Sequence, residues 1–219
     1  MSARRAVIFD LDGVLVDNSP FHREAWRRLC REEGVPLTDP EFWRLCIGRP
    51  VTEALPRLLG RALDGEELAR LARRRIALYH DLADGRLAPL PGVVAFVRGL
   101  SAAGVPQALA TSAVRESAAA ILETLGLAEV LAVRVTAADV HRGKPDPEVY
   151  HIAATRLGVP PGACLVFEDA LVGVEAARRA GMAVVGVTTA YPAAELTAAG
   201  ALRVVPDFAG VSWPELAAL

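Results

Sequence analysis

The chain has 219 residues, 53% of them hydrophobic and 23% charged, with a formal net charge of -2. That length and apolar content suffice for a packed core and argue against disorder. The near-neutral charge excludes the broad basic field that nucleic-acid binding needs, and no run reaches the roughly 18 apolar residues of a membrane span.

In chain order, the first element is the apolar run AVIF at 6–9, a strand that leads into the acidic stretch FDLDGVLVD. From about Ser19 to Arg86 only helical pattern follows, at 20–33, 40–47, 51–59 and 65–83. Strand–helix alternation resumes at PLPGV, 89–93. Further strand-like runs are VPQALA (105–110), VLAVRV (130–135), ACLVF (163–167), AVVGV (183–187) and LRVV (202–205). Between them, Val93, Phe96, Val97 and Leu100 repeat at helical spacing, as do Ala118, Ile121, Leu122 and Leu125. Val149, Ile152, Ala153 and Leu157 form another apolar face, with Asp146 and Pro147 as the expected helix start.

Uninterrupted apolar strands alternating with amphipathic helices imply an α/β fold: a Rossmann-like parallel sheet with helices on both faces. The expected division is a core formed by residues 1–18 plus 89–219, and an inserted α-helical cap at 19–88. Cys30, Cys46 and Cys164 are far apart with no CxxC spacing, so they read as reduced packing residues of a cytoplasmic protein.

Ligands of such sheets lie beyond the carboxyl ends of the strands. There the sequence places Asp10 and Asp12 after strand one, Thr111 and Ser112 after strand two, and Glu168 and Asp169 after strand four. The segment after strand three carries Lys144, the one lysine among 24 basic residues. A compact ammonium there does what a planar guanidinium cannot. Four clustered carboxylates call for a cation, and hard oxygen ligands without Cys or His point to Mg2+. The set suits phosphoryl transfer: Asp10 as carboxylate nucleophile, Thr111 and Lys144 on the phosphoryl oxygens, Asp12 as general acid and then base.

DLDGVLVD, TSA, GKPDPEVY and FEDALVG occur in the order and spacing of the four motifs of the haloacid dehalogenase superfamily, and the chain resembles that family throughout. The helical insert, with FHREAW and IGRPVTEAL, is similar to the cap of its β-phosphoglucomutase-like branch. The resemblance implies that Asp10, the Asp12 carbonyl, Glu168 and Asp169 form the Mg2+ environment, and that Thr111, the Ser112 backbone and Lys144 hold the transferring phosphate. It further implies that His22 is a hinge histidine, that Arg49 holds phosphate from the cap, and that Arg75 faces substrate. Arg70, Arg73 and Arg74 read as a solvated helix face. Where mutases of the branch carry a polar Ser-Lys-Asn-like stretch, this chain has Ala113-Val114-Arg115-Glu116, in which Arg115 alone could grip a phosphate.

The expectation is therefore a Mg2+-dependent phosphatase of a small phosphorylated metabolite such as a sugar phosphate, acting as a monomer. β-Phosphoglucomutase is the alternative on the same core. A non-catalytic phosphometabolite-binding protein is a third reading, since fold does not fix function.

Overall fold

The computed structural model describes residues 5–217 and 219. Its centre is β1 (Ala6–Phe9), whose four residues are all buried, as the apolar run requires. β2 (Gln107–Ala110) and β4 (Cys164–Glu168) pair with β1 on either side, β3 (Val133–Val135) pairs with β2, and β5 (Ala183–Val187) and β6 (Arg203–Val205) extend the other flank. Every pairing is parallel, and the order is β3-β2-β1-β4-β5-β6. The order reverses beside β1, which opens a crevice at the carboxyl ends of β1 and β4.

One face of the sheet is covered by α5 (Val93–Ala102), α6 (Arg115–Thr124) and α10 (Trp213–Leu216), the other by α7 (Glu148–Leu157), α8 (Leu171–Arg179) and α9 (Ala193–Ala199). The first layer includes Phe9 stacked on Phe167 at 5.3 Å, with Phe96 and Phe208 packed around them. Each such ring contributes about 1.5–3 kcal/mol by burial.

The stretch without strands forms α1 (Ser19–Glu32), α2 (Asp39–Leu45), α3 (Val51–Leu59) and α4 (Gly65–Ala83), which bury their own apolar cluster around Trp26, Phe42, Leu55 and Leu71. Thr38 and Glu41 cap α2 reciprocally, and the Asp64 carboxylate accepts the Glu67 N–H at 2.8 Å to start α4. The chain leaves and re-enters the sheet side by side: Val16 bridges Pro89, and the Leu90 N–H bonds the Leu15 carbonyl at 3.1 Å. No helix among the described residues is long and apolar enough to cross a membrane.

Several boundaries differ from expectation by one to three residues, β2 for instance beginning at Gln107 and not at 105. β3 begins at Val133, because the preceding Leu131 turns into the core. α7 begins at Glu148, with Pro147 as cap, while the Asp146 carboxylate accepts the Glu148 N–H at 3.1 Å.

Candidate active site

Asp10 continues β1, its N–H bonded to the Phe167 carbonyl at 3.0 Å, and Thr111 continues β2, bonded to the Val135 carbonyl at 2.9 Å. Glu168 ends β4 and Asp169 follows it. The loop after β3 carries Lys144 under the sheet edge, where it is 1% exposed. Its Nζ donates to Asp10 Oδ1 at 2.9 Å and to Glu168 Oε1 at 2.5 Å. The Tyr150 hydroxyl also donates to Glu168 Oε1, at 2.9 Å, and the Ala170 N–H to Glu168 Oε2, at 2.8 Å.

Two glycines make room for these carboxylates. A Cβ on Gly173 would stand 1.8 Å from Glu168 Oε1. A Cβ on Gly13 would stand 1.8 Å from Asp169 Oδ2, and Gly13 has φ +75, so this turn needs glycine on both counts.

Burial pushes the Asp10 carboxyl up to about 7, against the pull of Lys144. Burial, with the charges of Glu168 and Asp10, holds Asp169 well above the carboxylate range. Burial alone would depress the Lys144 ammonium, but Asp10 and Glu168 lift it well above its usual range. Oxygens of Asp10, Glu168 and Asp169 can all lie within 4.8 Å of one another. Two unit charges at that spacing repel by roughly 3 kcal/mol at an effective dielectric of about 20. One ammonium cannot neutralise three buried carboxylates, and the all-oxygen donor set fits a divalent hard cation.

Asp12 is 32% exposed and faces a cavity of about 160 Å³ enclosed between the sheet edge and the four helices. The Asn18 amide donates to Asp12 Oδ1 at 2.6 Å and lies 2.7 Å from the Tyr79 hydroxyl. Burial opposes ionisation of Asp12, but His22 and Asn18 prevail and hold its carboxyl below the usual range. His22 stacks on Tyr79 with ring centroids 4.2 Å apart. Arg75, 6% exposed, touches the His22 ring and lies over Trp26 at 4.9 Å, with burial pushing it down to about 10.

The helical layer rests directly on the sheet edge. The Ser112 hydroxyl donates to the Gly48 carbonyl at 2.9 Å, the Gly143 N–H to Glu53 Oε1 at 2.9 Å, and the Tyr191 hydroxyl to the Trp43 carbonyl at 2.8 Å.

Of the residues picked out in the sequence, Asp10, Lys144, Glu168 and Asp169 form one buried cluster, with Thr111, Ser112 and Asp12 on the cavity beside it. His22, Arg49 and Arg75 also line the cavity, and the buried Arg49 Nε has no protein partner. Arg74 and Arg70 are surface residues paired with Glu32 and Glu33. Arg115 departs from expectation: it is exposed, does not line the cavity, and meets as its ion partner Asp139, 3.5 Å away at the end of the 137–139 turn. Sequence reasoning missed Asn18, Glu53, Tyr79, Tyr150 and Thr189. A signal existed for Asn18, the only asparagine in the chain.

Residues 4–181 match the model of the haloacid dehalogenase-like hydrolases. The chain is 39% identical over 213 residues to a validoxylamine A 7'-phosphate phosphatase of Streptomyces hygroscopicus subsp. limoneus, covering 97% of this chain and 98% of that one. It is 37% identical over 182 residues to a phosphorylated carbohydrates phosphatase of Thermotoga maritima, covering 81% and 82%. Its backbone superimposes on a β-phosphoglucomutase of Clostridium difficile with a TM-score of 0.86 at 27% identity, over 97% and 95% of the two chains.

Proposed function

The chain belongs to the haloacid dehalogenase-like hydrolases and is a phosphatase, and from that premise we propose that it hydrolyses the monophosphate of a small carbohydrate-like metabolite through an aspartyl-phosphate on Asp10. In this reading residues 19–88 are the cap and the rest is the catalytic core. Thr111, the Ser112 backbone and Lys144 hold the phosphoryl oxygens. Asp10, the Asp12 carbonyl, Glu168 and Asp169 hold Mg2+, which when bound cancels charge between nucleophile and phosphate.

An Asp10 oxygen attacks phosphorus as the bond from phosphorus to the leaving oxygen breaks, and Asp12 gives that oxygen a proton. Water then attacks phosphorus, Asp12 takes the water's proton, and the bond to Asp10 breaks to release inorganic phosphate. The depressed Asp12 suits the second step as it stands. For the first, the charge of an arriving phosphate raises its affinity for a proton.

The observation that carries hydrolysis over mutase chemistry is at 113–115. A mutase has to grip a second phosphate away from Asp10, and on the sheet side of the cavity Val114 offers no side-chain donor while Arg115 is paired with Asp139 outside, which leaves such a phosphate to Arg49 of the helical layer without a partner from 113–115. The carbohydrate-like substrate class is supported by the names of the two relatives.

The test is a phosphorus NMR time course with Mg2+ on a panel of sugar and cyclitol monophosphates, including β-glucose 1-phosphate primed with glucose 1,6-bisphosphate. Free phosphate is expected as the main product, and Asp10→Asn should abolish it with the fold intact. Glucose 6-phosphate accumulating with little free phosphate would overturn the hydrolase reading in favour of the mutase. Full turnover by Asp10→Asn would remove Asp10 as the nucleophile.

A further inference from the structure

The loop 188–192, after β5, lies outside all four sequence motifs, yet it touches both the acidic cluster and the helical layer. Its base is fixed by the Thr188 N–H on the Val205 carbonyl at 3.0 Å. The Thr189 hydroxyl then stands 2.6 Å from the Gly13 carbonyl and 3.2 Å from Asp169 Oδ2. Two residues on, Tyr191 donates its hydroxyl to the Trp43 carbonyl at 2.8 Å and meets the Trp43 ring edge-on, with centroids 6.0 Å apart. Trp43 belongs to α2, in the helical layer.

The hydroxyl's one hydrogen is shared in a three-centre contact, mainly with the nearer Gly13 carbonyl and in part with Asp169 Oδ2, and through it Thr189 ties Gly13 and Asp169 together. With one Asp169 oxygen beside Thr189, the other is left for a cation, the arrangement by which outer partners orient metal-binding carboxylates. A short loop cannot move Tyr191 freely while holding Thr189. When the helices lift from the sheet edge, Tyr191 loses its acceptor and the constraint on Thr189 relaxes with it.

We propose that the loop 188–192 couples the cap to the metal site: Tyr191 docks α2, Thr189 sets Asp169, and Mg2+ binding and cap docking therefore favour each other. The proposal rests on the Mg2+ reading above. Thr189 is a positioning residue that acts through Asp169, and Tyr191 acts through the loop without touching the carboxylates. Coupling of this kind is reciprocal, so cap contacts strengthen Mg2+ binding by the same factor as Mg2+ strengthens docking.

The experiment is calorimetric titration of the metal-free full chain with Mg2+, without substrate, for wild type, Tyr191→Phe, Thr189→Val and Thr189→Ser. Tyr191→Phe should weaken Mg2+ binding by about fivefold, and Thr189→Val by about tenfold, with Thr189→Ser close to wild type. In hydrogen exchange, Mg2+ should slow the α2 amides of wild type and have little effect on them in Tyr191→Phe. Tyr191→Phe removes one oxygen and keeps the ring, so the outcome does not depend on how well Thr189→Val folds. Wild type taking up no Mg2+ would sink the metal reading itself. Wild type binding Mg2+ while Tyr191→Phe binds it equally well would overturn the coupling and leave the metal reading standing.

Discussion

Arg75 Nη2 stands 2.5 Å from His22 Nδ1. A guanidinium only donates, so Nδ1 is the acceptor and the ring carries its hydrogen on Nε2. That Nε2 lies 3.4 Å from Asp12 Oδ1, an approach that stops short of a formed hydrogen bond. Burial lowers the His22 pKa, Asp12 opposes it, and Arg75 adds to the lowering. The ring is thus a neutral N–H donor aimed at the acid/base candidate. Arg75→Met keeps an apolar stem over Trp26 and loses the donor. It should lower kcat between about tenfold and 100-fold with KM nearly unchanged, and nitrogen NMR of His22 should show the tautomer released. A variant with wild-type kcat would reduce Arg75 to a packing residue.

A metal ion held by Asp10 would compete with a proton there. Burial lifts its folded pKa to about 7, against about 3.9 in an unfolded chain. Between those values the metal-free native protein holds a proton that the unfolded chain has lost. The associated stability is complete below about pH 4 and is lost as pH rises through about 7. Asp169, also raised by burial, acts in the same direction. In chelator the melting temperature should therefore fall from about pH 5 to about pH 8, and excess Mg2+ should raise it more at the upper end. Scanning calorimetry with and without metal reads both. A metal-free melting temperature that climbs over this range contradicts the assignment.

Glu53, on α3, accepts the N–H of Gly143, the residue before Lys144. The helical layer therefore holds the loop that carries Lys144. Glu53→Ala removes the acceptor, worth about 1 kcal/mol, and should raise KM by about fivefold with a smaller change in kcat. Glu53→Gln keeps an acceptor and should recover most of the loss. Steady-state kinetics on one good substrate decides it, and equal KM values for the two variants would rule the contact out as a latch.

Asp139 provides a stability test away from the cavity. Burial works against its charge, but Arg156 and Thr136 hydrogen-bond it and bring it down to about 2. Because its folded pKa is depressed, its contribution is present above about pH 4 and is lost as pH falls through about 2. Asp139→Asn should cost on the order of 2 kcal/mol at neutral pH and flatten the acid limb of a urea-unfolding series. Arg115→Ala should change phosphatase kinetics little, since its partner is Asp139.

The strands, the helical insertion and the acidic edge were legible in the sequence because each rests on local pattern. Apolar runs such as AVIF are buried on both faces, and the residue after such a strand emerges at the sheet edge by necessity. Lys144 was legible through rarity. Rarity also marked Asn18, but a lone amide reads equally well as compositional bias until its two partners, Asp12 and Tyr79, are seen. Glu53, Tyr150 and Thr189 were not legible. Each acts across a tertiary contact with a residue distant in the chain, Glu53 on Gly143 and Thr189 on Gly13, and no spacing encodes such pairs. Arg115 misled because a sequence shows that a charge is present and not which neighbouring charge it meets first.

The helical layer has an apolar core of its own, distinct from the two that sandwich the sheet. The residues that would break and remake the phosphoester lie on the sheet edge, apart from those of the helices that would meet the rest of the substrate. A lineage can therefore repack the cavity-facing side of α1–α4 to admit a new alcohol without disturbing Asp10, Lys144 or Asp169, so long as Glu53 keeps Gly143 and the Trp43 carbonyl keeps Tyr191. Innovation in substrate range and conservation of bond chemistry fall on separate stretches of chain, so the two can change at different rates.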